Sequence, residues 1–432
     1  MMSPLQTLIR EHHAGRAVGI PSVCCSNRQV LLAAMETALA NDAPLLVEAT
    51  SNQVDQYGGY TGMKPADFVQ YVQGLASEAA FPLERLILGG DHLGPNTWQN
   101  LPPAAAMENA RVLIAAYAGA GFHKIHLDCS MSCAGDPTPL PDAVVAERSA
   151  QLALVAEQAA LAAGLPAPVY IVGTEVPIPG GEASLGGGVQ VTRPAAAAAT
   201  LEAHRAAFAA LGLHSAWERV IALVVQPGVD FDHSSVQQYA PQEARELSAF
   251  IASHPGLVFE AHSTDYQTEE ALHALVRDHF AILKVGPAAT YALREACFAL
   301  AAIEDELLPM EQRSHLVELL DQCMQADPRH WKKHYAGSPA ELRVLRRFAL
   351  SDRSRYYWGE TSVQNALAKL YANLDQIGIP LPLLSQYLPE LVEPVQRGDL
   401  VPCAAKLARY KVGLVLGRYI RACHANRAEA VC

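Results

Sequence analysis

The chain has 432 residues, of which 50% are hydrophobic and 18% charged, a composition that predicts a folded protein with a large core. Its formal net charge is -12, and no lysine- or arginine-dense run offers the phosphate contacts that dominate nucleic-acid affinity. A nucleic-acid partner is therefore disfavoured. An anionic small substrate stays compatible with this charge, because a few local cations can override the global sign.

Targeting signals and cysteines indicate the compartment. The first residues contain no apolar stretch of the kind that a signal peptide needs. No stretch approaches the roughly 18 uninterrupted apolar residues of a membrane span. The nine cysteines are odd in number and scattered, which is typical of reduced thiols. These features predict a soluble, cytoplasmic protein that has no membrane partner.

In chain order, a short first helix precedes eight apolar runs, each followed by a polar or glycine-bearing turn and then a helical stretch. The runs are 16–24, 44–53, 86–88, 124–127, 169–172, 220–225, 257–259 and 281–283. Strands that alternate with helices in one continuous series predict an α/β fold, a (β/α)8 TIM barrel. The alternative is a doubly wound open sheet, but the sequence lacks the glycine-rich dinucleotide turn expected after an early strand.

Beyond residue 300 the pattern changes to helices without clear strands. The helical stretches are 304–324, 339–350, 362–374 and 402–423. We therefore predict two regions. Residues 1–300 form the barrel with its short N-terminal helix, and residues 301–432 form a helical C-terminal extension that packs on the barrel.

Polar side chains gather at the predicted carboxyl ends of the strands, where barrels of this kind carry their chemistry. Any one of them alone is more often a satisfied structural residue. Eight of them, spread over seven successive strand ends, are costly to bury without a function. The sequence therefore predicts a functional site built from Glu48, Asp91, His92, Asp128, Glu175, Gln226, His262 and Lys284.

Imidazole and carboxylate groups that converge on one point suit zinc or another divalent transition metal, so zinc is the first candidate and manganese, nickel and cobalt are alternatives. The predicted metal ligands are His92, Glu175, Gln226 and His262. The predicted catalytic carboxylates are Asp91, Asp128 and Glu175.

The pair Asp91-His92 needs a local explanation, because adjacent strand residues point to opposite faces. Both can face the barrel axis if the strand has already ended, and we expect Gly89 and Gly90 to end it. Asp91 would then be a proton-transfer residue. Its rival role is to orient a metal-bound histidine.

Several polar residues are candidates for substrate binding. The segment 351–358 is expected to reach the barrel mouth, where two arginines would clamp an anion; surface ion pairing within the helical region is the alternative. The glycine-rich segment 179–188 is either a mobile lid or a solvated connector. The predicted substrate-binding residues are Glu48, Asn52, Gln53, Ser130, Lys284, Arg353 and Arg355.

Long motifs of the sequence resemble the GatZ/KbaZ family, the Z subunits of D-tagatose-1,6-bisphosphate aldolase from galactitol and N-acetylgalactosamine catabolism. They are 48–56, 89–96 (GGDHLGPN), 126–133, 173–177, 226–229, 260–268, 283–288 and 351–358 (SDRSRYYW).

The resemblance implies a subunit that supports cleavage to glycerone phosphate and glyceraldehyde 3-phosphate by a separate class II aldolase Y subunit. The implied ligand is a ketohexose or its (bis)phosphate, and we expect a homo-oligomer. Some relatives act alone as metal-dependent ketohexose 4-epimerases that interconvert tagatose and fructose, which is the alternative function. Members have also been labelled tagatose-6-phosphate kinases, but this sequence has no Walker-type glycine-lysine loop.

A more distant resemblance links the chain to the class II aldolases themselves. Asp91-His92 is similar to their pair of acid/base and zinc ligand, and His262 to their late histidine ligand. The sequence departs from them at Gln226, where they carry another histidine ligand, and at 263–266, where they carry a glycine-rich phosphate loop. Gly286-Pro287 stands where they carry a substrate-binding asparagine. These departures argue against independent bisphosphate aldolase activity but are compatible with a metal site.

Overall fold

The structure, a computed structural model, describes residues 3–174 and 188–424. Eight parallel strands close into a barrel in the order β1-β10-β9-β6-β5-β4-β3-β2, and β7 and β8 form a separate antiparallel hairpin. The strands are β1 (Ile20–Cys24), β2 (Leu45–Thr50), β3 (Leu86–Leu93), β4 (Lys124–Leu127), β5 (Val169–Val172), β6 (Val220–Val225), β7 (Asp230–Phe231), β8 (Val236–Gln237), β9 (Val258–Ala261) and β10 (Phe280–Val285). The predicted barrel is confirmed.

Helices surround the barrel and continue after it. Local signals begin several of them: Asn27 accepts hydrogen bonds from the amides of Gln29 and Val30, and Thr268 accepts one from Ala271. The helices are α1 (Pro4–Glu11), α2 (Arg28–Ala40), α3 (Pro65–Glu78), α4 (Pro103–Gly119), α5 (Asp142–Ala162), α6 (Pro194–Ala210), α7 (His214–Trp217), α8 (Arg245–Ala252), α9 (Glu269–Arg277), α10 (Pro287–Leu307), α11 (Leu316–Ala326), α12 (Pro339–Phe348), α13 (Thr361–Ile377), α14 (Leu381–Tyr387), α15 (Val392–Gln396) and α16 (Ala404–His424).

Two apolar layers hold the barrel together because strand side chains alternate between its inside and its outside. The outward layer packs under the helices. The inward layer fills the N-terminal half of the barrel, where Leu5 and Ile9 of α1 join it and close that end. The inward layer is formed by Ile20, Leu46, Ile87, Val169, Ile171, Ile221, Ala222, Val224, Val258, Ala281 and Ile282. The packed N-terminal half leaves the opposite, carboxyl end for polar side chains.

The predicted C-terminal helical extension is confirmed, and α16 packs on the barrel. It contacts α2, α9, α10 and β1. The amide of Gly19 donates to the carbonyl of Cys423 over 2.9 Å, and the Tyr419 hydroxyl donates to the carbonyl of Thr264 over 2.6 Å. Because α10 runs through residue 300, the division of the chain there stays a prediction. No helix among the described residues is long and apolar enough to cross a membrane.

Candidate metal and substrate site at the barrel mouth

Asp91 and His92 both belong to β3, so the expectation that Gly89 and Gly90 end the strand is wrong. Instead β3 has a bulge: its register against β4 shifts between Gly90 and Leu93. His92 has a φ of 49°, in the left-handed region, which breaks the alternation of side chains. The glycine at 89 serves a different purpose, since a Cβ there would lie 2.5 Å from Oε1 of Glu48.

Three imidazole rings meet at the mouth. His92 comes from β3, His126 from β4, and His262 follows the last residue of β9. Their ring centroids lie 4.9 Å (His92 to His262), 5.2 Å (His92 to His126) and 5.2 Å (His126 to His262) apart. All three side chains are buried. The barrel thus brings together two predicted residues and one, His126, that the sequence analysis did not select.

A carboxylate lies beside each of these rings. Nδ1 of His92 is 2.8 Å from Oδ2 of Asp128, and the Ser130 hydroxyl donates to Oδ1 of the same carboxylate. Nδ1 of His126 is 2.9 Å from Oδ1 of Asp91. Nε2 of His262 is 2.9 Å from Oε1 of Glu260.

In each ring one nitrogen is therefore engaged by a carboxylate, which fixes the orientation of the ring. Nε2 of His126 is buried and has no hydrogen-bond partner among the described residues.

Two lysines lie among the carboxylates. Nζ of Lys124 is 2.5 Å from Oε1 of Glu48 and 2.7 Å from Oε2 of Glu260. Nζ of Lys284 is 2.9 Å from Oδ1 of Asp91 and also contacts Oε2 of Glu48. Together with Asp128, four buried carboxylates face two ammonium groups, so the cluster has an excess of two negative charges when its imidazoles are neutral, the form in which they would bind a metal. A divalent cation would neutralise this excess.

Neighbouring charges shift the protonation equilibria of the site. Burial alone would lower the pKa of His92, but the carboxylates of Asp91 and Asp128 raise that pKa to about 9. Burial opposes ionisation of Asp91, yet His92 and His126 hold its pKa well below the usual range. Burial lowers the pKa of Lys284 to about 8 and lowers the pKa of His262. Asp91 is consequently a carboxylate at neutral pH.

These residues fit a divalent transition metal. Ligand atoms from Asp91, His126, Glu260 and His262 all lie within 4.8 Å of one another. A set of imidazoles and carboxylates is the chemistry that suits zinc and its neighbours in the first transition row. The structure therefore contains a buried candidate metal group, in which His262 is a predicted ligand and the predicted ligand His92 is not included.

A cavity of about 680 Å³, counting the space open to solvent, lies over the cluster. Four residues of the cluster line this cavity: Asp91, His92, His262 and Lys284. It is also lined by the predicted substrate-binding residues Asn52, Gln53 and Arg355 and by Tyr60 and Tyr356. The Arg355 guanidinium donates to the Tyr356 hydroxyl over 3.0 Å and to the carbonyl of Asp352 over 3.0 Å. The segment 351–358 thus supplies two side chains to the cavity wall.

Other predicted residues lie elsewhere. Oε1 of Gln226 accepts hydrogen bonds from the amides of Gly228 and Val229, so among the described residues it braces a turn and is not a member of the cluster. The Arg353 guanidinium donates to the carbonyl of His330 and does not line this cavity. Glu175 and residues 179–187 lie outside the described residues.

The sequence analysis missed His126, Glu260 and Lys124, although a signal for them was present. Lys124, His126 and Asp128 alternate along the chain, as do Glu260 and His262. Residues two apart on a strand point to the same side, so each series marks the inward face. Cys24, whose Sγ lies 3.7 Å from Oδ2 of Asp91, had no such signal.

The fold and this cluster define a (β/α)8 barrel protein with a candidate metal centre at its mouth. The family model for D-tagatose-1,6-bisphosphate aldolase subunit GatZ/KbaZ-like proteins matches residues 5–424. This chain belongs to that family, as the sequence motifs predict.

Solved structures with similar folds include one of high similarity. The crystal structure of a probable tagatose 6 phosphate kinase from Sinorhizobium meliloti 1021 is 48% identical, covers 94% of this chain and 100% of its own, and has a TM-score of 0.86. The YdjI aldolase from Escherichia coli K12 is 13% identical over 86% of this chain and 98% of its own, with a TM-score of 0.41. Fructose-bisphosphate aldolase (Fba) from Campylobacter jejuni is 13% identical over 86% of this chain and 92% of its own, with a TM-score of 0.43.

Proposed function

We propose that this chain binds a divalent transition metal at the barrel mouth and acts there on a ketohexose or a ketohexose phosphate. The observation that carries the proposal is the arrangement of His92, His126 and His262, whose rings are mutually about 5 Å apart and each engage one carboxylate. Zinc is the first candidate, and manganese, nickel or cobalt are alternatives. The three imidazoles would hold the metal, and Asp128 and Glu260 would orient two of them.

When bound, such a metal polarises the substrate carbonyl. The chain itself supplies the proton transfers. Asp91, which is ionised at neutral pH, takes the proton from the C4 hydroxyl as the C3–C4 bond breaks and its electron pair moves towards the C2 carbonyl. Lys284, 2.9 Å from Asp91, stabilises the carboxylate before the transfer. Asn52 and Gln53 provide hydrogen-bonding groups for sugar hydroxyls on the cavity wall.

The first candidate reaction is cleavage of D-tagatose 1,6-bisphosphate to glycerone phosphate and glyceraldehyde 3-phosphate. In this role the chain is a Z-type subunit that works with a class II aldolase Y subunit in galactitol, N-acetylgalactosamine or tagatose catabolism. Family membership over residues 5–424 supports it. Phosphoryl transfer, the activity in the description of the Sinorhizobium relative, is not proposed because the sequence has no Walker-type loop.

The second candidate is a self-sufficient ketohexose 4-epimerase that interconverts D-tagatose and D-fructose. The observation that favours it is that one chain supplies the histidines, the carboxylates and the wall of the cavity. Reversible cleavage between C3 and C4, followed by re-addition to the other face of the aldehyde, would invert C4. Both candidates therefore use the same bond and the same residues.

One experiment tests the proposal and separates the candidates. Metal content is measured on the purified chain, and turnover of D-tagatose, D-fructose and D-tagatose 1,6-bisphosphate is followed without a partner and with a class II aldolase Y subunit. Free-sugar interconversion by the chain alone supports the epimerase. Bisphosphate cleavage that needs both chains supports the Z-type role. A chain that binds no divalent metal under any of these conditions overturns the proposed site.

A further inference from the structure

The segment after His262 places a carboxylate of the protein at the N-terminal end of α10. Oδ1 of Asp265 accepts hydrogen bonds from the amide of Gly286 over 3.0 Å and from the amide of Ala288 over 2.7 Å. Asp265 is 3% exposed, and with Gly286 it lines the cavity of the proposed site. Its charge is therefore internal to the protein but directly beside the substrate space.

This position is one where barrels commonly hold a phosphate group. The N-terminus of a helix presents unpaired amides and a positive dipole end, and in barrels the turn after the last strand often uses them for anions. Here the first turn of α10 has no unpaired backbone amide that could bind an anion. Asp265 takes two amides, Pro287 has none, and the amide of Ala289 donates to the carbonyl of Gly286 over 3.1 Å.

The segment that carries Asp265 is held on both sides, so the carboxylate does not swing away. The Thr264 hydroxyl donates to the carbonyl of Lys284 over 2.6 Å, and the Tyr419 hydroxyl of α16 donates to the carbonyl of Thr264. Ser263 and Tyr266 have φ values of 54° and 65°, which side chains of their type rarely adopt. The surrounding structure maintains this strained backbone and with it the position of Asp265.

We infer that Asp265 is a specificity-determining residue: its carboxylate fills the anion position at the N-terminus of α10 and excludes a phosphate from that side of the cavity. The end of the ketose that reaches α10 is then unphosphorylated. The cavity thus takes a free ketohexose, or one whose single phosphate is at the end away from α10, and this favours the second candidate reaction over cleavage of the bisphosphate in this cavity. This inference rests on the proposed ketose site and narrows its substrate class.

Phosphate binding to the full-length chain tests the exclusion directly. Asp265→Ser removes the carboxylate and opens the two amides, while Asp265→Asn keeps the shape and serves as the matched control. Calorimetry with inorganic phosphate should show binding to Asp265→Ser that is at least about tenfold tighter than to the wild type, because two backbone donors become available. Asp265→Asn should resemble the wild type. Equal phosphate binding by a folded Asp265→Ser protein would overturn the inference.

A second measurement needs no variant. In the wild type, hydrogen exchange of the amides at 286–290 should not change when inorganic phosphate is added, and protection of these amides would overturn the inference.

Both measurements are independent of turnover, and phosphate binding at a metal or at Arg355 is common to all three proteins. Their outcome can therefore contradict the inference about Asp265 without contradicting the proposed function, and the reverse also holds. Where turnover exists, Asp265→Ser should shift the ratio of kcat/KM towards the ketose phosphorylated at the end nearest α10. An unchanged ratio would also count against the inference.

Discussion

A cluster of three histidine rings lies at each end of the barrel, and the two clusters differ in what surrounds them. At the mouth the rings of His92, His126 and His262 lie 4.9 to 5.2 Å apart. At the N-terminal end the rings of His12, His13 and His279 lie 5.1 to 6.0 Å apart. Spacing alone does not separate the two triads.

The hydrogen-bond partners of the rings distinguish the two triads. At the N-terminal end, Nδ1 of His12 is 2.7 Å from the carbonyl of Val18, its Nε2 is 2.8 Å from Nδ1 of His279, and Nε2 of His13 is 2.7 Å from the carbonyl of Leu257. Both nitrogens of His12 are thus used within the protein. At the mouth, carboxylates engage one nitrogen of each ring and bring negative charge. Carboxylates of this kind typically orient metal-binding imidazoles, whereas the contacts of the N-terminal cluster to backbone carbonyls and to another imidazole are structural.

The largest expected effect comes from removing a ligand at the mouth. His262→Ala should abolish stoichiometric metal binding, with a loss of affinity greater than the roughly 100-fold typical of outer residues, because one of three proposed imidazole ligands is gone. The matched control is His13→Ala at the other end, which should keep its metal. Metal content after dialysis and competition titration measure both. Unchanged metal stoichiometry in His262→Ala, or loss of metal from His13→Ala, would contradict the proposal that only the histidines at the mouth bind metal.

The next effect concerns the carboxylate that moves the proton. Asp91→Asn should keep full metal occupancy, while turnover falls by roughly 10²–10⁴-fold because the general base is lost. Turnover is measured on the chain alone or, if the isolated chain is inactive, on its complex with a Y subunit. Loss of metal would instead assign Asp91 to orientation of His126. Unimpaired turnover with full metal would dismiss both roles.

A smaller effect is expected from the carboxylate that orients His92. Asp128→Asn should reduce metal affinity by about 10–100-fold, because the imidazole loses basicity and a fixed direction. Ser130→Ala is the matched control, since Ser130 contacts Oδ1 of Asp128 whereas His92 contacts Oδ2. Its metal affinity should stay close to that of the wild type. A drop in Ser130→Ala as large as in Asp128→Asn would contradict a specific role for the His92 contact.

Sequence patterns are sufficient to predict the barrel, but they predict only part of the candidate site. Eight apolar runs identify the strands, because burial and alternation are local properties of the chain. The end of β3 was misplaced, since a bulge depends on the pairing with β4 and on the left-handed conformation of His92. The hairpin of β7 and β8, with two residues in each strand, was too short to leave a periodic signal.

The membership of the site depends on which strands lie side by side. Glu48 and Lys284 are 236 residues apart in the chain and meet only because β1, which pairs with both β2 and β10, closes the barrel. Gln226 follows a strand just as His262 does, yet its side-chain oxygen accepts hydrogen bonds from two backbone amides of its own turn. Such local competition for hydrogen bonds is decided by geometry, and composition at a strand end does not reveal it.

The most general expected effect is on stability, and it distinguishes the two ends of the barrel by its dependence on pH. Burial lowers the pKa of His12 from 6.5 to about 4, with repulsion from His279 and His13 adding to it. The folded state therefore holds this imidazole neutral, while the unfolded chain binds a proton below pH 6.5. The contribution is fully present above pH 6.5 and is lost as the pH falls towards 4, by up to about 3 kcal/mol in the free energy of unfolding.

Urea titrations of the full chain between pH 7.5 and 4.5 measure this slope. His12→Asn should lower the free energy of unfolding at pH 7.5 but flatten its decline with acid, because the group that binds the proton is gone. The exposed His214 offers the control His214→Asn, which should keep the wild-type slope. At the mouth the sign is opposite: the pKa of His92 is raised, so its contribution is lost as the pH rises through about 9. A His12→Asn slope equal to that of the wild type would show that the N-terminal triad does not carry the acid sensitivity.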